Sequence, residues 1–333
     1  MADADVTESS LEAAAGAAGF HATDAFTLLG DETRLAILLT LWEQYEPHAE
    51  DTYGSPDAVP FSELLEQVNY DNPGNFSYHL ERLDGQFIRQ RAEREGYELR
   101  MPGLKLVQTI IAGTGLEDAT LDATEIDQPC PLCGAPTEIS YREGLVFQAC
   151  TECDGAAPNR TNTDGFLNAV KFHPTGLVDR TPEELRAASR VASLRQIQSM
   201  FNGLCPTCSG PVDAWLDCCT DHDSDGICEH CGTPFDAWAR FRCRICKDHG
   251  NASPKQLALF HPAVISFYDD HGVSIRFRVD DFEGVMRGFD LMDAHEMDLV
   301  ATDPPRVTVT ITYEGDDFGL TFDETVTVVD VQR

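Results

Sequence analysis

The chain has 333 residues, 42% of them hydrophobic, which is enough for two to four domains with packed cores. Its longest apolar run, Leu35 to Trp42, is far shorter than the roughly 20 residues of a membrane-spanning helix. The first ten residues lack the basic and apolar regions of a secretory signal, so we expect a cytoplasmic protein. The net charge of −33, from 57 acids and 24 bases, opposes nucleic-acid binding through overall charge.

Residues 1–19 are rich in alanine, glycine and acids, and this composition predicts a flexible acidic tail. The patterns that follow, over residues 20–115, alternate helical periods with turn signals. The predicted elements are a helix from Ala22, a helix from Asp31, a loop from Glu46 to Pro60, a helix from Phe61 to Val68, a turn at Asn72 to Gly74, a helix from Asn75 to Leu83, strands from Phe87 to Arg91 and from Tyr97 to Met101, and a helix from Pro102.

This order of helices followed by a two-stranded hairpin is that of a winged helix-turn-helix domain, which we predict for residues 20–115. In the helix from Asn75, the apolar side chains of Phe76, Leu80 and Leu83 share one face. The remaining positions and the hairpin supply the candidate DNA-binding residues, which are Asn75, Ser77, Tyr78, His79, Arg82, Arg89, Arg91 and Arg94.

Local charge supports this prediction. Residues 71–105 contain six acids and six bases, whereas the rest of the chain contains 51 acids and 18 bases. Because phosphate neutralisation dominates affinity for DNA, the most electropositive segment is the best candidate for a DNA-binding surface. The alternative is that the hairpin arginines only pair with neighbouring glutamates.

Three segments carry a resemblance to a known family: LLGDETRLAILLTL at Leu28 to Leu41, then FSELLEQV, then GNFSYHLERLDGQFI. They resemble the ArsR-type winged-helix regulators over about 20–115. The resemblance implies a sequence-specific transcriptional regulator that binds double-stranded DNA as a homodimer. It does not imply metal sensing, because FSELLEQV lacks the paired cysteines of the metal-sensing members. The helix from Pro102 is a candidate dimer face through Leu104, Leu106, Val107 and Ile110 or Ile111, with core packing as the alternative.

The rest of the chain predicts an α+β multidomain protein with a β-rich C-terminal part. Thr181, Pro182 and Glu184 form the signature of a helix start with a capping box. RVTVTIT at Arg306 to Thr312 is the clearest strand. The predicted segments are a linker at 116–129, a first zinc ribbon at 130–180, a helix at 181–204, tandem zinc ribbons at 205–250 and an α/β-rich C-terminal domain at 251–333.

Ten of the twelve cysteines form five C-x-x-C pairs, a pattern typical of structural zinc sites in a reducing compartment. The first two pairs have the spacing of one zinc ribbon. The sixth half-site is Cys219-x-x-His222. Three structural zinc ions are therefore predicted, with the ligands Cys130, Cys133, Cys150, Cys153, Cys205, Cys208, Cys219, His222, Cys228, Cys231, Cys243 and Cys246.

A 23-residue repeat suggests how the later half-sites combine, because CPTCSGPVDAW from Cys205 aligns with CEHCGTPFDAW from Cys228. If each copy closes its own site, the sets are Cys205/Cys208/Cys219/His222 and Cys228/Cys231/Cys243/Cys246. Two alternatives remain at this point. Cys218 could replace Cys219, or Cys205 and Cys208 could join Cys243 and Cys246. Trp215 and Trp238, at equivalent positions of the repeat, are expected beside the zinc sites.

Scarce lysine and abundant acid are similar to proteins of salt-saturated cytoplasm, and the whole plan resembles haloarchaeal ArsR-like regulators. Zinc-held modules would then shape an effector or dimerisation region, with a small molecule or a protein as effector. The alternative is a basal transcription factor that contacts polymerase, similar to archaeal transcription factor E. Three sets of four ligands leave no open position for catalysis, so we do not expect an enzyme.

Overall fold

The chain divides into two units, Met1–Leu116 and Glu117–Arg333, each with its own buried apolar side chains. The structure is a computed structural model that describes residues 27–45, 58–91, 96–113, 119–157, 163–223 and 226–333. Its described part mixes helices with four small antiparallel sheets, so the predicted combination of helix and strand is confirmed. Within the same ranges, every helix is too short or too polar to span a bilayer. The predicted tail at 1–19 and the helix start at Ala22 lie outside the described residues.

The first unit combines helices with a three-stranded sheet in its described part, in the order β1–β3–β2. Val59 in β1 lies opposite Tyr97, and Ile88 in β2 lies opposite Leu99, so β3 is the central strand. The elements are α1 (Glu32–Glu43), β1 (Val59–Pro60), α2 (Phe61–Gln67), α3 (Pro73–Leu83), β2 (Ile88–Arg91), β3 (Gly96–Leu99) and α4 (Met101–Ile111).

Helix α3 begins two residues earlier than the sequence predicted. The Asn72 side chain accepts a hydrogen bond from the backbone N–H of Asn75, which makes Asn72 the N-cap. Pro73 then occupies the first helical position, where its missing N–H costs nothing. The predicted turn is therefore the cap and first turn of the helix.

The core of the first unit draws one apolar face from each helix. Phe76, Leu80 and Leu83 of α3 are fully buried, as their spacing predicted. Leu104 and Val107 of α4 are also buried in this core. These two residues are therefore unavailable for the predicted dimer face, because their apolar surface is already covered within the unit.

The second unit contains three further antiparallel sheets in its described part, β4–β5–β6–β7, β10–β9–β8 and β11–β12–β13–β14. Its elements are β4 (Leu121–Pro129), β5 (Pro136–Arg142), β6 (Leu145–Cys150), β7 (Phe166–Lys171), a 3₁₀ turn (Pro174–Leu177), α5 (Pro182–Phe201), β8 (Val212–Cys218), β9 (Ala237–Cys243), β10 (His249–Ala252), α6 (Pro254–Ala258), α7 (Pro262–Asp270), α8 (Phe282–Ala294), β11 (Glu296–Thr302), β12 (Pro305–Tyr313), β13 (Asp316–Phe322) and β14 (Val328–Gln332).

The predicted linker at 116–129 is wrong over most of its length. Residues 121–129 form strand β4, which pairs antiparallel with β5. Three acids, Asp122, Glu125 and Asp127, are among its exposed residues, and Ile126 is its one buried residue. With so little apolar alternation, the sequence pattern could not distinguish a strand from an acidic connection.

The predicted start of α5 and the predicted strand at Arg306 are both confirmed. Thr181 and Glu184 make the reciprocal hydrogen bonds of a capping box. Helix α5 then contacts β7 and β10, which belong to different sheets. In β12, the side chains of Val307, Val309 and Ile311 are buried on one face. They join the largest core of the chain, to which α5 also contributes.

Candidate metal centres and candidate nucleic-acid interface

The first group of metal-ligating side chains lies at one end of the sheet β4–β7. Cys130 follows β4 directly, and Cys150 ends β6. Each begins a tight turn that brings the second cysteine of its pair, Cys133 or Cys153, close to it. The sulfur atoms of Cys130 and Cys153 are 3.7 Å apart, and those of Cys133 and Cys150 are 3.5 Å apart. A tetrahedral ion with metal–sulfur bonds of about 2.3 Å requires sulfurs about 3.8 Å apart. The four thiols therefore fit one tetrahedral ion.

The second group joins the two ends of a strand pair. Strands β8 and β9 are antiparallel, with Val212 opposite Cys243, so the chain before β8 lies beside the chain after β9. This brings Cys205 within 3.5 Å of Cys246, and Cys208 within 3.5 Å of Cys243, measured between sulfur atoms. These four cysteines again match the edges of a tetrahedral site.

The third group lies in the connection between β8 and β9. The sulfurs of Cys219 and Cys228 are 4.0 Å apart, and the Cys231 sulfur is 3.5 Å from Nδ1 of His222. A sulfur and a nitrogen bound to one tetrahedral zinc would be about 3.6 Å apart. His222 would therefore coordinate through Nδ1.

The predicted tandem sets are wrong, although the structure gathers all twelve predicted ligands into three groups of four. The two copies of the repeat supply β8 and β9, which pair with each other across one sheet. A site at the outer end of this pair must draw on both copies, and the site in the connection is enclosed between them. The interleaved alternative, with Cys205 and Cys208 joined to Cys243 and Cys246, is the arrangement observed.

Cys218 stands apart from the third group, which contains Cys219. Burial and the nearby carboxylates of Asp236 and Asp217 raise the pKa of the Cys218 thiol to about 11, so it stays protonated at neutral pH. Cys218 lines a cavity of about 280 Å³ together with Cys219 and Trp238. Its position outside the four converging ligand atoms of the third group excludes Cys218 from the candidate ligand set.

Each group contains one thiol that is readily ionised. Burial raises the pKa of Cys150, but backbone N–H groups of Cys153 and Glu152 outweigh it and hold the pKa at about 6. Burial also opposes ionisation of Cys243, whose pKa is held at about 7 by the N–H groups that follow it in its turn. For Cys228, the N–H of Asp223 is the main cause of a pKa of about 6. Hydrogen bonds that stabilise a thiolate also stabilise a metal–thiolate bond.

The outer surface of α3 retains three of the predicted DNA-binding side chains in exposed positions. Asn75 and Arg82 are exposed, and 52% of Tyr78 is exposed. Ser77 is half-buried, and its hydroxyl donates to the carbonyl of Pro73. Arg82 makes no ion pair with any described residue, so its charge is available to a ligand.

His79 is not available to DNA, and this part of the prediction needs correction. Only 6% of the residue is exposed. Its Nδ1 lies 3.4 Å from the carboxylate of Asp31, and its Nε2 lies 3.5 Å from the hydroxyl of Tyr70. The helical period places position 79 between the apolar rows at 76 and 80, so it faces the body of the unit.

Two hairpin arginines pair with a neighbouring glutamate, Glu98, as the alternative interpretation of the sequence predicted for the hairpin arginines. Glu98 is buried, and its Oε1 accepts hydrogen bonds from Nε of Arg89 and from Nε of Arg91, the latter at 2.8 Å. The Arg89 side chain remains 49% exposed and that of Arg91 32% exposed. Arg89 and Arg91 therefore share one carboxylate, while residues 88–99 as a whole contain three bases and three acids. Arg94 lies outside the described residues.

Replacing both Arg89 and Arg91 with alanine leaves the Glu98 carboxylate buried without these two partners. We expect the free energy of unfolding of the first unit to fall by about 3 kcal/mol, the lower end of the range for one-sided removal of a buried pair. The arginines are partly exposed, which is why the lower end applies. Chemical denaturation monitored by circular dichroism measures the change. Adding Glu98→Gln to the same variant should restore most of the loss.

The ion pairs of Glu98 with Arg89 and Arg91 also make the stability of the first unit depend on pH. Burial raises the pKa of Glu98, but the hydrogen bonds from Arg91 and Arg89 outweigh it and lower the pKa below 4.5. A carboxyl whose pKa is lower in the folded than in the unfolded protein stabilises the fold at pH values above its unfolded-state pKa. We therefore expect the first unit to lose stability as pH falls through the folded-state pKa of Glu98. Unchanged acid sensitivity below pH 4.5 in the Glu98→Gln variant would contradict this role.

Comparison with known proteins gives two family matches. Residues 127–328 match a family described as "Domain of unknown function (DUF7351)", and residues 22–110 match one described as "Domain of unknown function (DUF7347)". The first match covers more than half of the chain and contains all twelve candidate metal ligands. No curated protein and no solved structure matches the chain.

Proposed function

We propose a function for this chain, which belongs to the family described as a domain of unknown function (DUF7351), from the geometry of its first unit. The chain is a sequence-specific transcriptional regulator of ArsR-like type that binds double-stranded DNA as a homodimer. Its first unit is a winged helix-turn-helix in which α3 enters the major groove and the β2–β3 hairpin is the wing. Three structural zinc ions hold the second unit.

The observation that carries the proposal is the outer surface of α3. Asn75, Tyr78 and Arg82 are exposed on the side opposite the buried Phe76 and Leu80. A recognition helix needs polar side chains outside and an apolar face that fixes it to its domain. Helix α2 ends at Gln67, five residues before the cap of α3, as expected for the first helix and turn of such a motif.

The contacts with Glu98 change the role that we assign to the hairpin arginines. A guanidinium has five N–H donors, and Nε of Arg89 is occupied by Glu98. The Arg89 side chain is partly exposed, and its terminal nitrogens are suited to a phosphate oxygen. We therefore assign Arg89 and Arg91 to positioning the DNA backbone, and Asn75, Tyr78 and Arg82 to reading bases.

Zinc is the proposed metal because of the donor atoms. Two groups offer four sulfurs each, and the third offers three sulfurs and one imidazole nitrogen. Closed tetrahedral sets of this kind are typical of structural zinc, since no coordination position remains for a substrate or an activated water. Iron–sulfur clusters also take four cysteines, but the histidine of the third group favours zinc there. A structural role agrees with a regulator that is not an enzyme.

The test begins with DNA recovered from cells by cross-linking and capture of the full chain. The most enriched duplex is then titrated with purified protein in about 1 M KCl, where long-range charge is screened. We expect Arg82→Ala to weaken binding about 5- to 150-fold, the range for loss of one specific arginine contact. Arg278→Ala is the matched control, because this exposed arginine pairs only locally, with Asp280.

Two outcomes would count against the proposal. Equal affinity of the parent chain and Arg82→Ala for the recovered duplex would show that α3 is not the reading surface. Absence of any enriched duplex, together with co-purification of RNA polymerase, would instead favour a basal factor similar to archaeal transcription factor E.

A further inference from the structure

The three-stranded sheet β10–β9–β8 has two faces of opposite character. Its inner face carries Leu216, Ala239 and Phe241, which are buried in the largest core. Helix α5 covers this side so closely that a side chain at Gly250 would meet Ile197. The outer face is composed instead of tryptophan, arginine and aspartate at alternating positions.

The strand register places aromatic and charged side chains opposite one another on the outer face. Trp215 of β8 lies opposite Arg240 of β9, and Trp238 lies opposite Asp217. Arg242 lies between Asp213 on one side and His249 on the other. Of Trp215, 42% is exposed. Trp215 therefore presents indole surface to solvent, while Trp238 lines the cavity beside Cys219 and Cys231 of the third metal group, where the sequence predicted it.

The charge of this face differs from that of the chain. The outer face carries two bases, Arg240 and Arg242, and two acids, Asp213 and Asp217, whereas acids outnumber bases more than twofold in the whole sequence. Arg240 and Arg244 are ion-paired with Asp217 and Asp213 of the neighbouring strand. Arg242 is exposed and makes no ion pair with any described residue, so its guanidinium is available for an anionic partner.

We propose that this outer face binds an unpaired strand of nucleic acid. An exposed tryptophan beside arginines matches the two chemistries of such a strand, since bases stack on the indole and phosphates pair with guanidinium groups. Duplex DNA fits less well, because each of its bases is already stacked on both sides. In the proposed complex with an unpaired strand, a base stacks on Trp215 and Arg242 contacts the phosphate backbone. This activity belongs to the second unit and is separate from duplex binding by the first.

The experiment uses the full chain and three labelled probes, a thymidine DNA and a uridine RNA of about 15 nucleotides each, and a duplex of equal length. Fluorescence anisotropy is measured in about 0.1 M and 1 M KCl. Either single strand should bind more tightly than the duplex, and the tighter of the two identifies the natural strand as DNA or RNA. The proposal would be overturned if neither single strand bound more tightly than the duplex.

Two substitutions separate the assigned roles. Trp215→Ala should weaken single-strand binding about 5- to 150-fold at both salt concentrations, because stacking is insensitive to salt. Trp215→Phe should retain most of the affinity. Arg242→Ala should lower the slope of log affinity against log salt by about 0.7. Arg278→Ala is the charge-matched control and should bind like the parent. Unchanged single-strand affinity of Trp215→Ala would overturn the proposal.

The same variants keep this result separate from the proposed duplex binding. Trp215→Ala should leave affinity for the captured duplex unchanged, and Arg82→Ala should leave affinity for the single strands unchanged. Metal content and circular dichroism of Trp215→Ala should match the parent, since its exposed side chain is not part of the core. Single-strand binding that disappears only in Arg82→Ala would place the activity on the first unit and refute it here.

Discussion

The chain that carries both Cys205→Ser and Cys243→Ser should bind two metal ions, one fewer than the three expected for the parent. Both residues belong to the same group, whose other members are Cys208 and Cys246, so the double change removes a single site. Under the tandem arrangement suggested by the repeat, the two changes would fall in different sites and leave one ion. Native mass spectrometry of the purified protein, calibrated by elemental analysis, gives the count.

A crossed variant provides the control for this result. Cys205→Ser combined with Cys219→Ser alters two groups and should leave one ion, whereas tandem sites would leave two. The two double variants thus have opposite expected counts under the two arrangements. The interleaved arrangement would be refuted by one ion in the first variant and two in the second.

Removal of all metal should unfold the second unit and leave the first unit folded. Structural zinc in small domains contributes about 10–16 kcal/mol of apparent binding free energy per ion, which is comparable to the whole stability of a domain. Strands β8 and β9, whose ends hold the second group, also contribute Leu216 and Phe241 to the largest core. Loss of that group therefore removes support from the core of the unit. The first unit contains no candidate metal group among its described residues.

Hydrogen exchange with mass spectrometry can follow both units in one sample treated with a strong chelator. Peptides from 212–218 and 237–243 should lose their protection, and peptides from 73–83 and 101–111 should keep it. Re-addition of zinc should restore the protection, which controls for damage by the chelator. Retained protection at 237–243 in metal-free protein would show that apolar packing alone holds the unit.

These results bear on function because the metal groups and the candidate DNA-contacting residues lie in different units. Asn75, Tyr78 and Arg82 are held by the apolar core of the first unit. A chelator should therefore leave the contacts of α3 with duplex DNA intact. It should abolish single-strand binding by the sheet β10–β9–β8, which the second metal group stabilises. The two proposed activities can be distinguished by metal removal as well as by substitution.

Local signals in the chain were sufficient for several elements. The capping box at Thr181, the buried alternation of Val307, Val309 and Ile311, and the apolar row in α3 are each set by residues within one helix or strand. The twelve candidate ligands were also recognised from spacing, because a C-x-x-C turn is a local structure. In each case the interacting groups are near neighbours in the chain.

Predictions failed where distant segments meet. Strand β4 is recognised only through its pairing with β5, since its own sequence has little apolar alternation. The burial of His79 depends on Asp31 and Tyr70, which approach it from other segments. A residue at the edge of an apolar helix face can be buried or exposed, and only its tertiary neighbours decide between the two.

The five C-x-x-C pairs and Cys219-x-x-His222 determined, from sequence alone, which residues can hold metal and that there are enough for three ions. Only the tertiary structure decided which half-sites combine. The repeat predicted sites that close within each copy, but its two copies form adjacent antiparallel strands. Antiparallel pairing brings the start of the first copy to the end of the second, so Cys205 meets Cys246 across 41 positions of the chain. Spacing along a sequence cannot contain that information, because it arises from the hydrogen bonds between strands.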